Sequence, residues 1–122
     1  MALLVLCVSL VLGAAPAHAA GSFTWNASIK VSVTSREWTQ SAGTTKIKAS
    51  AICPGGNYQK GYSITLQRKN WNGWESKGRK SYVCGGAQTS SWTGMERGTF
   101  RFYLSRPNDG ATLNLSGSVT YP

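Results

Sequence analysis

The eleven residues from Phe23 to Val33, FTWNASIKVSV, alternate without interruption between apolar and polar side chains. Every odd position in this stretch is apolar and every even position is polar. Because successive side chains of an extended chain point to opposite faces, the pattern predicts a β-strand with one buried face and one solvent face. It is the strongest local signal for secondary structure in the sequence.

The same alternation recurs along the rest of the chain. It predicts strands in the segments Ile47–Cys53, Tyr62–Gln67, Trp74–Cys84, Phe100–Ser105 and Leu113–Tyr121, with a weaker one in Thr89–Met95. Glycine-rich and proline-rich turn sequences separate these segments, and no stretch has convincing helical periodicity. Six or seven such strands predict one all-β domain over residues 21–122, an antiparallel β-sandwich with immunoglobulin-like topology left open. A small β-barrel is the alternative way to close the sheets.

A β-hairpin is predicted at Asn70-Trp71-Asn72-Gly73-Trp74. Asn-Gly is favoured in two-residue type I′ turns, and this placement would set the indoles of Trp71 and Trp74 opposite each other across the ladder. Gly78 interrupts the returning strand and predicts a bulge there.

The first twenty residues of the 122-residue chain predict a secretory signal peptide. They hold an apolar run from Ala2 to Leu12 and end in Ala17-His18-Ala19, which indicates cleavage near residue 19 or 20. The run is shorter than the roughly 17 to 25 residues that a transmembrane helix needs. We therefore expect a secreted, extracellular chain of about 102 residues without a transmembrane segment, which keeps the formal net charge of +9.

Removing the signal peptide takes away Cys7 and leaves Cys53 and Cys84. Two cysteines in an exported chain predict one disulfide bond, since free buried thiols would require a reducing compartment. In the chain-entropy model, a bond that closes this loop stabilises the fold by roughly 3.5 to 4 kcal/mol.

The residues that remain after cleavage narrow the possible chemistry. His18 is the only histidine, so the mature chain could form no histidine-based catalytic triad, histidine zinc site or Cys–His dyad. The four carboxylates, Glu37, Glu75, Glu96 and Asp109, lie beside cations or in turns, and no catalytic motif surrounds them. We therefore predict a protein that is not an enzyme and that uses no metal or cofactor.

Charge and aromatic residues are concentrated around the predicted hairpin. From Lys60 to Lys80 there are six basic residues against Glu75 alone. The candidate binding residues of this segment are Tyr62, Arg68, Lys69, Trp71, Trp74, Lys77, Arg79 and Lys80. Aromatic rings supply contact area at low entropy cost and cations attract an anionic partner, so the segment predicts a docking surface. A purely structural interpretation has equal weight, because paired tryptophans stabilise hairpins and edge lysines prevent aggregation.

The remaining three tryptophans are assigned from their strands. Trp25 is on the apolar face of the first predicted strand and is expected in the core, whereas Trp38 and Trp92 are in irregular or weak segments and could be buried or exposed.

These features rank three classes of function. The first is a secreted, non-enzymatic binding module for an anionic cell-wall polymer or polysaccharide; secretion argues against nucleic acid as the partner. The second is a protein–protein adaptor subunit of a secreted complex, or an inhibitor, that pairs a sheet edge such as the strand from Phe23 with its partner. The third is a cationic antibacterial toxin, although the amphipathic helix typical of membrane attack is missing from the sequence.

The chain also resembles small secreted β-rich proteins of actinobacteria in general style. The features that carry this resemblance are the signal ending AHAA at residues 17–20, the predicted disulfide and the closing sequence LNLSGSVTYP at residues 113–122. The resemblance extends over the whole chain, points to no named family and assigns no functional residue.

Overall fold

In a computed structural model of the chain, residues 20–52, 61–107, 110 and 112–122 are described, and they form nine β-strands and no helix. The strands are β1 (Gly21–Ile29), β2 (Ser32–Thr34), β3 (Trp38–Gln40), β4 (Gly43–Ile52), β5 (Gly61–Asn70), β6 (Gly73–Val83), β7 (Gly85–Met95), β8 (Gly98–Ser105) and β9 (Leu113–Tyr121). The predicted signal peptide, Cys53 and Lys60 lie outside the described residues. A helix able to cross a membrane is not found in the described ranges.

The strands form two antiparallel sheets. The first sheet has the order β1-β9-β4-β7, and the second has the order β2-β8-β5-β6, with β3 also paired to β8. The prediction of an all-β, antiparallel chain is confirmed, but the described residues form nine strands instead of six or seven. Within the described residues no ladder joins the two sheets.

The higher strand number begins with the stretch from Phe23 to Val33. This stretch forms two strands in different sheets, because β1 ends at Ile29 and β2 begins at Ser32. The chain crosses between the sheets at residues 30 and 31, where the backbone N–H of Arg106 donates to the carbonyl oxygen of Val31 at 2.9 Å. Alternation indicates which side chains face inward, but it does not show that the chain changes sheets.

Side chains from both sheets form a single core. The inward residues predicted from alternation are buried, among them Ile47 and Val119 of the first sheet and Ile64 and Phe102 of the second. Trp25 packs against the core as expected, and the two undecided tryptophans are core residues: Trp38 is 5% exposed and Trp92 is 3% exposed. Burial of apolar surface at roughly 25 cal/mol per Å² is the main force that holds the sheets together.

One side of the two-sheet structure is closed by contacts between β6 and β7. The bulge predicted at Gly78 is confirmed, because Thr65 pairs with Arg79 whereas Gln67 pairs with Ser76, which leaves one extra residue in β6. The indole Nε1 of Trp92 donates to the Gly78 carbonyl at 3.0 Å, and the side-chain amide of Gln88 bonds the backbone of Val83. The edges of the two sheets thus cover each other on this side.

Candidate functional site

The β5–β6 hairpin turns one residue earlier than predicted. Asn70 pairs with Gly73, so the two-residue loop consists of Trp71 and Asn72. The turn is not of type I′, because that type needs positive φ at both loop residues and none of the described non-glycine residues has positive φ. The Asn70 side-chain oxygen instead accepts the backbone N–H of Asn72 at 3.1 Å, as in an Asx turn. Trp71 therefore lies at the tip, 94% exposed, and does not face Trp74 across the ladder.

The strand register divides the candidate residues between two sides of the hairpin. Residues directly opposite in an antiparallel pair project to the same face. Lys69 pairs with Trp74, and Arg79 pairs with Thr65, all on the outer face of the second sheet. Lys80 is opposite the buried Ile64 and so projects toward the other side.

The outer face carries a stacked pair that joins the hairpin to β8. The guanidinium carbon of Arg101 lies 4.1 Å from the centre of the Trp74 ring. The Arg101 Nε donates to the side-chain oxygen of Gln67 at 2.7 Å, which holds the guanidinium in place. A cation–π contact at an exposed site contributes about 0.5 to 1 kcal/mol, so it favours this arrangement of the two side chains.

Two of the residues on this face come from β8 and were not among the sequence candidates. Arg101 pairs with Gln67, and Tyr103 pairs with Thr65 of the hairpin. We call Lys69, Trp74, Arg79, Arg101 and Tyr103 the outer basic face. The sequence does place Arg101 and Tyr103 on the solvent side of their strand, but it does not indicate that β8 pairs with the hairpin.

The three described carboxylates lie at the rim of this face or on the other side of the hairpin. The Lys77 ammonium is 2.9 Å from a Glu96 oxygen and 3.9 Å from a Glu75 oxygen. The hydrogen bond from Lys77, together with its charge, lowers the pKa of Glu96. Glu37 and Lys69 are among the residues that line an open depression at the rim. The centre of the outer basic face therefore keeps its positive charge.

Three of the predicted cations have structural contacts instead. Arg68 donates through Nε and Nη2 to the Arg97 carbonyl at 3.2 and 2.8 Å, which ties the hairpin to the turn between β7 and β8. Lys77 reaches the same turn through Glu96, and the Lys80 ammonium lies 5.8 Å from the centre of the Trp92 ring. These residues brace the hairpin and are not on the outer basic face.

Tyr62 is also not a surface residue. It is 3% exposed and stacks on Tyr82 with the ring centres 5.3 Å apart. Burial raises the pKa of Tyr62 and that of Tyr82, with the neighbouring Tyr82 charge adding to the effect on Tyr62. The alternation of β5 predicts that Tyr62 points inward, and the structure agrees with this prediction. The buried position does not fit the prediction that Tyr62 is a binding residue.

Cys84 lies in the core at 3% exposure, whereas Cys53 lies outside the described residues, so the Cys53–Cys84 disulfide stays a prediction. Over the described ranges, no group of three or more histidine, cysteine, aspartate or glutamate side chains could hold a metal ion.

Comparison with known proteins identifies a similar fold but no family. No protein-family model matches the sequence, and no curated protein matches it. Among solved structures, the Yersinia pseudotuberculosis-derived mitogen is similar, with a TM-score of 0.53 and 16% sequence identity over 84% of this chain and 86% of the mitogen chain. At this level of identity the similarity concerns the fold alone.

Proposed function

We propose that the chain is a secreted, non-enzymatic β-sandwich module that binds an anionic extracellular polymer, either a cell-wall polymer or a polysaccharide, through the outer basic face. The observation that carries the proposal is the Trp74–Arg101 stack, flanked on the same sheet face by Lys69 and Arg79. The formal net charge of +9 supports it, because it exceeds the magnitude of about 2 to 8 that solubility alone calls for.

The arrangement of the face favours a ligand with repeated charges over a single small anion. Residues two apart on a strand are roughly 6.5 to 7 Å apart, and neighbouring strands are about 4.8 Å apart, so the cations are spread along and across three strands. The Trp74 ring supplies a flat contact area between them, and Trp71 at the hairpin tip extends it. An extended polyanion would contact several of these cations at once.

Secretion and the disulfide belong to the same proposal. Ala51 of β4 pairs with Gly85 of β7, and Cys84 directly precedes Gly85 in the sequence. Cys53 follows Ala51 by two residues, and each residue spans at most about 3.8 Å between Cα atoms. The pairing thus places Cys84 near the strand end that precedes Cys53 in the sequence, and the proposed bond requires Cα atoms roughly 4.4 to 6.8 Å apart.

A matched pair of double variants tests the location of the site. Lys69→Ala/Arg79→Ala removes two charges from the outer basic face, and Lys46→Ala/Lys48→Ala removes two charges from the outer face of the first sheet. Binding to polygalacturonate and to poly(glycerol phosphate) is measured by calorimetry at two salt concentrations, with neutral dextran as the control polymer. We expect the first variant to bind at least about tenfold more weakly and the second to change less than about threefold, because only the first removes ligand contacts.

Two further results bear on the proposal. Trp74→Ala should weaken binding even though it leaves the net charge unchanged, since the ring contributes contact area. If the two double variants lose the same affinity, binding reflects net charge alone and the outer basic face is not the site. Thermal unfolding of each variant, followed by circular dichroism, confirms that the fold is retained.

A further inference from the structure

Within the described part of the chain, strand β1 forms an edge of the first sheet and lacks the protection that exposed edges usually have. Among the described strands it pairs only with β9, in an unbroken register from Gly21 opposite Tyr121 to Ile29 opposite Leu113. Its sequence, GSFTWNASI, contains no charged residue and no proline. Long, regular and uncharged edges offer free backbone N–H and C=O groups to another strand, so proteins usually block them.

The other described edges are blocked. β6 carries a bulge at Gly78 and the charged residues Lys77, Arg79 and Lys80. β7 is covered by the hydrogen bonds that Trp92 and Gln88 make to β6. β2 and β3 have three residues each, too few to serve as a long template.

An apolar crevice opens beside β1, between the two sheets. It has a volume of about 180 Å³ and is lined by Phe23, Trp25 and Ala27 from β1 and by Val33 and Phe102 from the second sheet. The Nε1 of Trp25 is buried and has no hydrogen-bond partner in the described part of the chain. A buried donor without an acceptor is costly, so a shift of Trp25 that let its Nε1 reach an acceptor on an incoming segment would be favoured.

Cations stand at both ends of this edge. The Arg36 guanidinium lies 4.5 Å from the centre of the Phe23 ring, at the first end of β1. Lys30 follows the last residue of β1 and is exposed. Together with the net charge of +9, these cations oppose pairing with a second copy and favour a segment with acidic ends.

We propose that β1 binds an extended segment of an acidic partner protein, which adds as a fifth strand to the first sheet. Backbone hydrogen bonds to β1 would supply affinity, and an apolar side chain of the segment would enter the crevice. Carboxylates at its two ends would lie near Arg36 and Lys30. This surface shares no residue with the outer basic face, so the two binding activities are separable.

The first test uses a synthetic nine-residue peptide that alternates leucine and threonine between acidic ends. One control peptide carries proline in place of its threonines, which removes backbone donors, and another carries lysine in place of its acidic residues. We expect binding of the acidic peptide by calorimetry, with slower hydrogen exchange at β1 amides. Both control peptides should bind at least about tenfold more weakly.

Two variants of the protein locate the peptide on β1. Ala27→Lys introduces an ammonium group into the crevice, whereas Thr24→Lys adds the same charge to the exposed face of the same strand, outside the crevice lining. We expect Ala27→Lys to lose peptide binding by at least about tenfold and Thr24→Lys to retain it. If Ala27→Lys does not fold, Trp25→Phe replaces it, since it keeps a ring but removes the donor and should weaken binding severalfold.

Polymer binding by the same variants separates this proposal from the first one. It should remain unchanged in Ala27→Lys or Trp25→Phe, and peptide binding should remain in Lys69→Ala/Arg79→Ala. The proposal is overturned if the acidic peptide does not bind or if the lysine peptide binds equally well. It is also overturned if native mass spectrometry shows a dimer and hydrogen exchange shows that the β1 amides are protected in that dimer.

Discussion

The stacked residues Tyr62 and Tyr82 differ in the partner of their hydroxyl groups, and this difference predicts opposite effects of the same substitution. The Tyr82 hydroxyl donates to the Ile47 carbonyl at 2.8 Å. The Tyr62 hydroxyl is buried and has no partner within the described residues. Since their exposures are 2% and 3%, each tyrosine serves as the control for the other.

The expected sizes follow from the hydrogen bonding. Tyr82→Phe removes a made hydrogen bond and should lower the free energy of unfolding by about 0.5 to 1.5 kcal/mol. Tyr62→Phe removes a buried hydroxyl whose unmet hydrogen bonds cost about 1 to 3 kcal/mol, offset in part by the small void that it leaves. We therefore expect Tyr62→Phe to raise the free energy of unfolding by roughly 1 kcal/mol.

Urea unfolding at pH 7, followed by fluorescence and circular dichroism, measures both changes. With a slope of about 2 kcal/mol per molar urea, the midpoints of the two variants should differ by roughly 1 M. Equal losses of stability in the two variants would refute the reasoning, because they would mean that the Tyr62 hydroxyl also makes a stabilising bond.

Three further outcomes follow from the same structure. Gly117→Ala should lower the free energy of unfolding by about 1 to 3 kcal/mol or more in urea titrations, because the new methyl group would overlap the Lys48 carbonyl oxygen. Gly78→Ala should lower it by about 1 to 2 kcal/mol in the same assay, because the bulge holds this residue at a φ of +117°, which side chains rarely adopt. Raising the pH should destabilise the protein only above about pH 10, because Tyr62 and Tyr82 have raised pKa values and the folded state keeps protons that the unfolded state releases. Absorbance of tyrosinate at 295 nm should accordingly show two tyrosines that titrate at higher pH in the folded protein than in urea. If all tyrosines titrate in the same pH range in both conditions, the burial argument is contradicted.

Local alternation was enough to predict which side chains enter the core. Ile47, Ile64 and Phe102 are buried as the alternation predicts, because successive side chains of a strand point to opposite faces. The strand count was not predictable in this way, since alternation continues through the point where the chain leaves one sheet for the other. The burial of Trp38 could not be predicted locally, because its ring packs on Phe100 and Tyr121 of other strands.

The candidate site was predicted in part. Local sequence located the hairpin and its positive charge, but the turn is displaced by one residue because Asn70, rather than Gly73, supplies the turn-stabilising group. Some cations lie on the outer basic face and others contact the turn before β8. Which cations do which depends on the pairing of the hairpin with β8, a strand that is distant from the hairpin in the sequence. Arg101 therefore joins the site through a contact that no local pattern indicates.

The pairing of β1 with β9 also governs when the fold can form. The first and the last described strands are neighbours, so the four-stranded sheet is not complete until β9 is available. Because both β1 and β4 pair with β9, that strand forms the interior of the sheet, and a chain that ends before it leaves them without a shared partner. This sheet can therefore form only once β9 is present, and folding should take milliseconds to seconds, as expected when most strand pairs join distant segments.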